Sequence, residues 1–76
     1  MKRRKFYVNP EKSPHCPWGI YEGRAILTVG RTKRQAVVKA QQMARAAKPS
    51  QLIIRRRDGT IQDERTYGAD PYPPKG

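Results

Sequence analysis

The chain has 76 residues, enough for one domain with a single small core. Hydrophobic residues make up 36% of it against a formal net charge of +11, lean for a folded protein but short of the disordered extreme. No run approaches the roughly 18 apolar residues of a membrane span, and the single cysteine, Cys16, excludes an internal disulfide framework.

In chain order, the basic start Lys2 to Lys5 has no apolar run behind it, since Asn9 to Pro17 is polar and proline-rich. A signal peptide is therefore not expected, and with one cysteine a reducing cytoplasm is. "KFYV" (Lys5 to Val8) alternates aromatic and β-branched residues and predicts a short strand, Phe6 and Val8 facing inward and Tyr7 outward. Pro10, Pro14 and Pro17 then break regular structure. "WGIYEGRAILTVG" predicts two strands, Trp18 to Glu22 and Arg24 to Val29, bent at Glu22-Gly23, with Trp18 in the core.

A helix is expected over about 32–48. Thr32 caps its start, with Gln35 placed for the reciprocal half of a capping box. Ala36, Ala40, Met43, Ala44 and Ala47 recur at the spacing of one buried face, with Val37 at its margin. Proline at 49 disfavours helical geometry at Lys48 and ends the helix. A β-hairpin follows, turning at Asp58-Gly59 as a two-residue loop with positive φ at both positions. That register sets Arg57 opposite Thr60, Arg56 opposite Ile61, Arg55 opposite Gln62 and Ile54 opposite Asp63. Leu52, Ile54, Arg56 and Ile61 then face the helix, while Ile53, Arg55, Arg57, Thr60, Gln62 and Glu64 face away. The expected fold is α+β: an antiparallel sheet with one helix on one face, as a single domain over 6–68. A basic N-terminal arm (1–5) precedes it and a Pro-rich extended tail (69–76) follows.

The charge is unevenly placed. No acidic residue falls between Gly23 and Arg57, a span that holds ten Lys or Arg. At 100° per residue, Arg34, Gln41, Arg45 and Lys48 form a stripe on the helix side away from the alanine face. Solvated faces normally mix signs for about 0.2–0.5 kcal/mol per pair, and this one has no opposite charge of its own. Lys33 and Arg34 lie in the first turn, where cations oppose the helix dipole, whereas Arg45 and Lys48 suit its end. Arg55 and Arg57 are expected together on the open face of the sheet, beside Tyr7. Lys33, Arg34, Arg45, Lys48, Arg55 and Arg57 are thus candidate phosphate contacts, with Tyr7 placed to stack a base. About six such contacts correspond to a log–log salt slope near −5 on duplex DNA. The arm Lys2 to Lys5 reads equally as a flexible phosphate-seeking segment or as a solubilising start.

Catalytic chemistry has little to build on. His15 and Cys16 are adjacent and lack the two further ligands of a zinc site. No third group is arranged to orient His15 as a base, and the neighbours Asp63 and Glu64 fall on opposite strand faces. The expectation is a non-enzymatic protein without cofactor, metal, membrane or small-molecule ligand, whose partner is a nucleic acid (DNA or RNA). The alternative is an acidic protein surface, the chain acting as an interaction modulator such as a phage-encoded inhibitor.

The stretch "RRDGTIQDERTYGADPYPPKG" resembles the C-terminal signature of a family of small bacterial and phage proteins, catalogued as domain of unknown function 2188. Trp18 with Ile20 is similar to that family's Trp-x-Val strand, and Thr32 to Ala36 with Ala40 to Ala44 to its Thr-capped, alanine-rich helix. The likeness covers roughly Phe6 to Gly76. It departs in the longer loop "EKSPHCP" and in a helix that is basic where relatives often carry Glu. The resemblance implies a small α+β domain and brings no activity or site residues with it. For "DPYPPKG" two readings stand: a ligand for an aromatic groove on another protein, or a segment that folds back over the sheet edge.

Overall fold

The computed structural model describes residues 4–68. The Pro-rich tail at 69–76 and residues 1–3 of the basic arm lie outside the described residues. Six elements follow one another: β1 (Arg4–Pro10), β2 (Trp18–Glu22), β3 (Ala25–Gly30), α1 (Lys33–Ala46), β4 (Ser50–Arg55) and β5 (Ile61–Tyr67). The strands form one five-stranded sheet in the order β3-β2-β1-β4-β5, and α1 lies across one face of it. The α+β class, the single helix and the C-terminal hairpin agree with the sequence reading. Arg4 and Lys5, expected in the arm, are the first residues of β1 and pair with Ser50 and Gln51.

One seam differs from the expected antiparallel sheet. β1 and β4 run parallel, from Arg4↔Ser50 to Val8↔Ile54, whereas the other three pairs are antiparallel. The cause is the crossover. β3 ends at one edge, α1 carries the chain back over the sheet, and β4 is laid down along the free side of β1. Leu52, Ile53 and Ile54 are all buried, Leu52 and Ile54 in the core with α1 and Ile53 on the open face between its pairing partners Tyr7 and Glu64.

The core joins Phe6, Val8, Trp18, Ile20, Leu52 and Ile54 of the sheet to Ala36, Ala40 and Ala44 of the helix. The alanines let α1 lie close: a Cβ added at Gly30 would come within 3.0 Å of the Ala36 Cβ. Thr32 caps α1 as expected, its hydroxyl accepting from the Gln35 amide at 3.1 Å. The Gln35 side chain, however, accepts from the Arg31 amide, one residue before the cap. At the other end Ser50 Oγ donates to the Ala44 carbonyl at 2.5 Å, satisfying one of the groups a helix end leaves open.

The β4–β5 turn is also not the two-residue loop. Only Gly59 has positive φ, at 91°, because the Arg56 carbonyl accepts from the Gly59 amide and the Arg56 amide donates to the Thr60 carbonyl. Arg57, Asp58 and Gly59 form a three-residue loop, a type I turn closed by a left-handed glycine. Asp58 holds it by accepting from the Thr60 amide and hydroxyl. Arg55 therefore faces Ile61, a bulge absorbs Gln62, and the expected register resumes at Ile54↔Asp63. Ile61 is thrown to the open face at 47% exposure, and Gln62 comes within reach of α1. Among the described residues no helix is long and apolar enough to cross a membrane.

Candidate functional site

α1 packs on β1, β2, β4 and β3, leaving β5 standing clear of it. A groove of about 450 Å³ opens between α1 and β5. Its helix wall is Lys33, Arg34, Val37, Val38 and Gln41, its floor Ile54, and its strand wall Gln62, Asp63 and Arg65. The helical stripe inferred from sequence thus runs along this opening. Arg34 and Gln41 line it, and Arg45 continues it, with its guanidinium 5.7 Å from the centre of the Tyr67 ring. Lys48 closes the line against Gly68. Arg34 and Arg45 are about 16 Å apart along the helix axis, at 1.5 Å per residue.

The N-terminal end of the groove is built on Trp18, which is only 6% exposed. Lys33 Nζ lies 5.1 Å from its ring and donates to Gln62 Oε1. The Arg57 guanidinium lies 5.6 Å from the same ring and donates to the Pro17 carbonyl at 3.4 Å. Arg57 is therefore drawn around the end of the sheet toward Trp18, not held on the open face with Arg55 as the two-residue turn implied. The extra loop residue and the attraction of a cation to an indole face together account for the difference.

Arg55 and Tyr7 do meet on the open face, with the guanidinium 5.7 Å from the ring centre. Arg55 also donates to the Gly59 carbonyl, while its Nε and the nearby Asn9 Oδ1 are buried without a partner. The seven sequence-identified residues thus divide. Lys33, Arg34, Arg45, Lys48 and Arg57 belong to the helix side, and Tyr7 and Arg55 lie across the thickness of the sheet.

Among the described residues two ion pairs form, Arg4–Glu22 at 2.6 Å and Arg65–Asp63 at 2.9 Å. The hydrogen bond from Arg4 holds the Glu22 carboxyl below its usual range, and the bond from Arg65 does the same for Asp63. Among the described residues none of the six candidate phosphate contacts is in an ion pair. Lys33, Arg45, Arg55 and Arg57 rest instead on aromatic faces, which hold a cation without cancelling its charge. Arg65, on the groove's strand wall, and Gln62 were missed from sequence. The period-2 alternation from Asp63 puts Arg65 on the helix face, but only the bulge brings Gln62 there.

The stretch from the end of β2 through β3, α1, β4 and β5 is where a comparison with known proteins gives a match. A family model described as an uncharacterized protein conserved in bacteria (DUF2188) matches residues 22–67. No curated protein and no solved structure matches the chain.

Proposed function

Because the chain belongs to the domain of unknown function 2188 family, uncharacterized proteins conserved in bacteria, and that membership carries no activity, we propose a function from its surface. The protein is a small, non-enzymatic, cytoplasmic nucleic-acid-binding protein that grips phosphates along the α1–β5 groove. Lys33, Arg34, Arg45, Lys48 and Arg57 provide the contacts, and Gln41 and Gln62 supply neutral donors between them. Phosphate contacts position a nucleic acid without reading its sequence, so specificity is weak.

One observation carries this reading: a line of cations along one helix, none of them in an ion pair among the described residues. Such a line is unfavourable in isolation, since Lys33 and Arg34 also oppose the helix dipole. Binding a polyanion and releasing its counterions reverses that balance. Arg55 and Tyr7 are outside this set, because one strand laid in the groove cannot reach the opposite sheet face. Five contacts on duplex DNA correspond to a log–log salt slope of about −4.5.

The test is fluorescence polarisation of labelled single-stranded and duplex DNA and RNA at several salt concentrations. Binding should weaken with salt at that slope and change little with sequence. A dissociation constant weaker than about 10⁻⁴ M at physiological salt, for every nucleic acid tried, sinks the reading.

A further inference from the structure

The side of α1 away from the groove presents different chemistry. β3 is the outermost strand there, with one side of its backbone facing no other strand among the described residues. The strand, Ala25–Gly30, contains no charged residue, and Ile26 and Leu27 are 51% and 44% exposed. Ile26, paired with Tyr21, and the next residue Leu27 fall on opposite faces of the edge by strand alternation, and the register shift beside Ile20 and Tyr21 leaves Leu27 as the unpaired residue. Leu27 continues into a largely apolar recess of about 390 Å³ with Phe6, Met43, Ala46 and Ala47, bordered by the Arg4–Glu22 ion pair. Two cations frame the strand, Arg24 before it and Arg31 after it, both exposed. Lys39 reaches from α1 to donate to the Val29 carbonyl at 3.0 Å, covering only the far end.

We propose that β3 is a docking edge for an extended segment of a partner protein, with aliphatic residues at its centre and Asp or Glu at its ends. The segment adds to the sheet as a sixth strand, its backbone pairing with β3. Its apolar side chains cover Ile26 on one face and Leu27 with the recess on the other. Its terminal carboxylates meet Arg24 and Arg31.

A second copy of this chain fits less well. Antiparallel self-pairing over the full strand sets Ala25 against Gly30, Ile26 against Val29 and Leu27 against Thr28. That register sets Arg24 of one copy opposite Arg31 of the other, twice over, and like charges directly opposite are destabilising. Two chains of charge +11 also repel at longer range. The cationic frame selects an acidic-ended partner.

The test uses the intact chain and three labelled peptides of about ten residues. One has a centre of consecutive Val and Ile, apolar on both faces, between Glu-Asp ends; one has the same centre between Lys ends, and one has acidic ends around a Gly-Ser centre. The first should bind at least about tenfold more tightly than the others and slow amide exchange at residues 25–30. The paired change Ile26→Gln and Leu27→Gln, at exposed positions and without altering charge, should weaken it by about tenfold or more. Arg24→Glu with Arg31→Glu should transfer the preference to the Lys-ended peptide. No binding by any peptide, equal binding whatever the centre, or unchanged exchange at 25–30 overturns the proposal. A dimer in sedimentation equilibrium that the Ile26/Leu27 change dissociates assigns the edge to a second copy and overturns it as well. None of these readouts involves nucleic acid, so the groove and the edge stand or fall separately.

Discussion

β5 and β3 border the same sheet, and among the described residues each leaves one side of its backbone without a strand neighbour. Their composition is opposite. β5 reads IQDERTY, carries both signs of charge, and is bent by the bulge at Gln62. β3 reads AILTVG, carries no charge, and is guarded by Lys39 at one end alone. Charge and bulging are the usual means of blunting an exposed edge against unwanted pairing. β5 uses both, so the surface beside it is free to serve through side chains, those of α1 above all. β3 has a bulge but no charge, and what it presents is backbone and aliphatic surface.

Four expectations bear on this contrast. The largest effect concerns what the two borders share. Phe6 is buried in the core and also lines the recess beside β3, so Phe6→Ala should cost about 3–5 kcal/mol in urea unfolding and weaken both surfaces together. If instead one border kept its binding while the chain lost that stability, the two would not depend on a common core. Next comes charge reversal on one side. Arg34→Glu with Arg45→Glu should flatten the salt slope for duplex DNA by about 1.8 and lower affinity at every salt, while peptide capture by β3 is unchanged. A parallel loss at both sites would mean that overall charge, not position, governs binding.

A smaller effect is expected at the cap. Thr32→Ala removes the acceptor for the Gln35 amide and should cost about 1 kcal/mol in thermal unfolding. Fraying the first turn would loosen Lys33 and Arg34 before Arg45. The smallest is the response to acid. Asp58 is held below its usual range by hydrogen bonds from Thr60, Glu22 by Arg4 and Asp63 by Arg65. A carboxylate whose folded-state pKa is lowered adds stability that is whole above its unfolded value and is lost as pH falls through the folded one. All three groups are exposed, so the melting temperature should fall only slightly between about pH 5 and pH 3. Asp63→Asn should remove part of that change.

Helical periodicity made most of α1 legible. Thr32 is its cap, Ala36, Ala40 and Ala44 are its buried face, and Arg34, Gln41, Arg45 and Lys48 share a side. Alternation placed Phe6 and Val8 inward and Tyr7 outward, beside Arg55. What could not be read was which strand β4 would join, because that depends on where the crossover sets the chain down. The unbroken apolar run Leu52-Ile53-Ile54 was the available sign of a central strand, since a strand at an edge would alternate. The turn was misread because Asp-Gly suits both loop lengths. Asp58 settled it by hydrogen-bonding to Thr60 without adopting positive φ. The position of Arg57 was beyond local pattern altogether, for its partner Trp18 lies 39 residues earlier.

The parallel seam has a consequence for how the molecule assembles. On one side of it β1, β2 and β3 form a local meander, and on the other β4 and β5 form a hairpin. Among the described residues this seam, the span of α1 and the contacts of Arg57 with Pro17 and Trp18 join them. Arg4 and Ser50 are paired across 46 residues, a closure whose length-dependent entropy is about 3 kcal/mol. The two halves can organise from neighbouring contacts, whereas the seam must wait for distant ones, and contacts of that kind slow folding. Substitutions at Phe6 or Leu52, which are paired across it, should therefore act on the rate at which the halves unite.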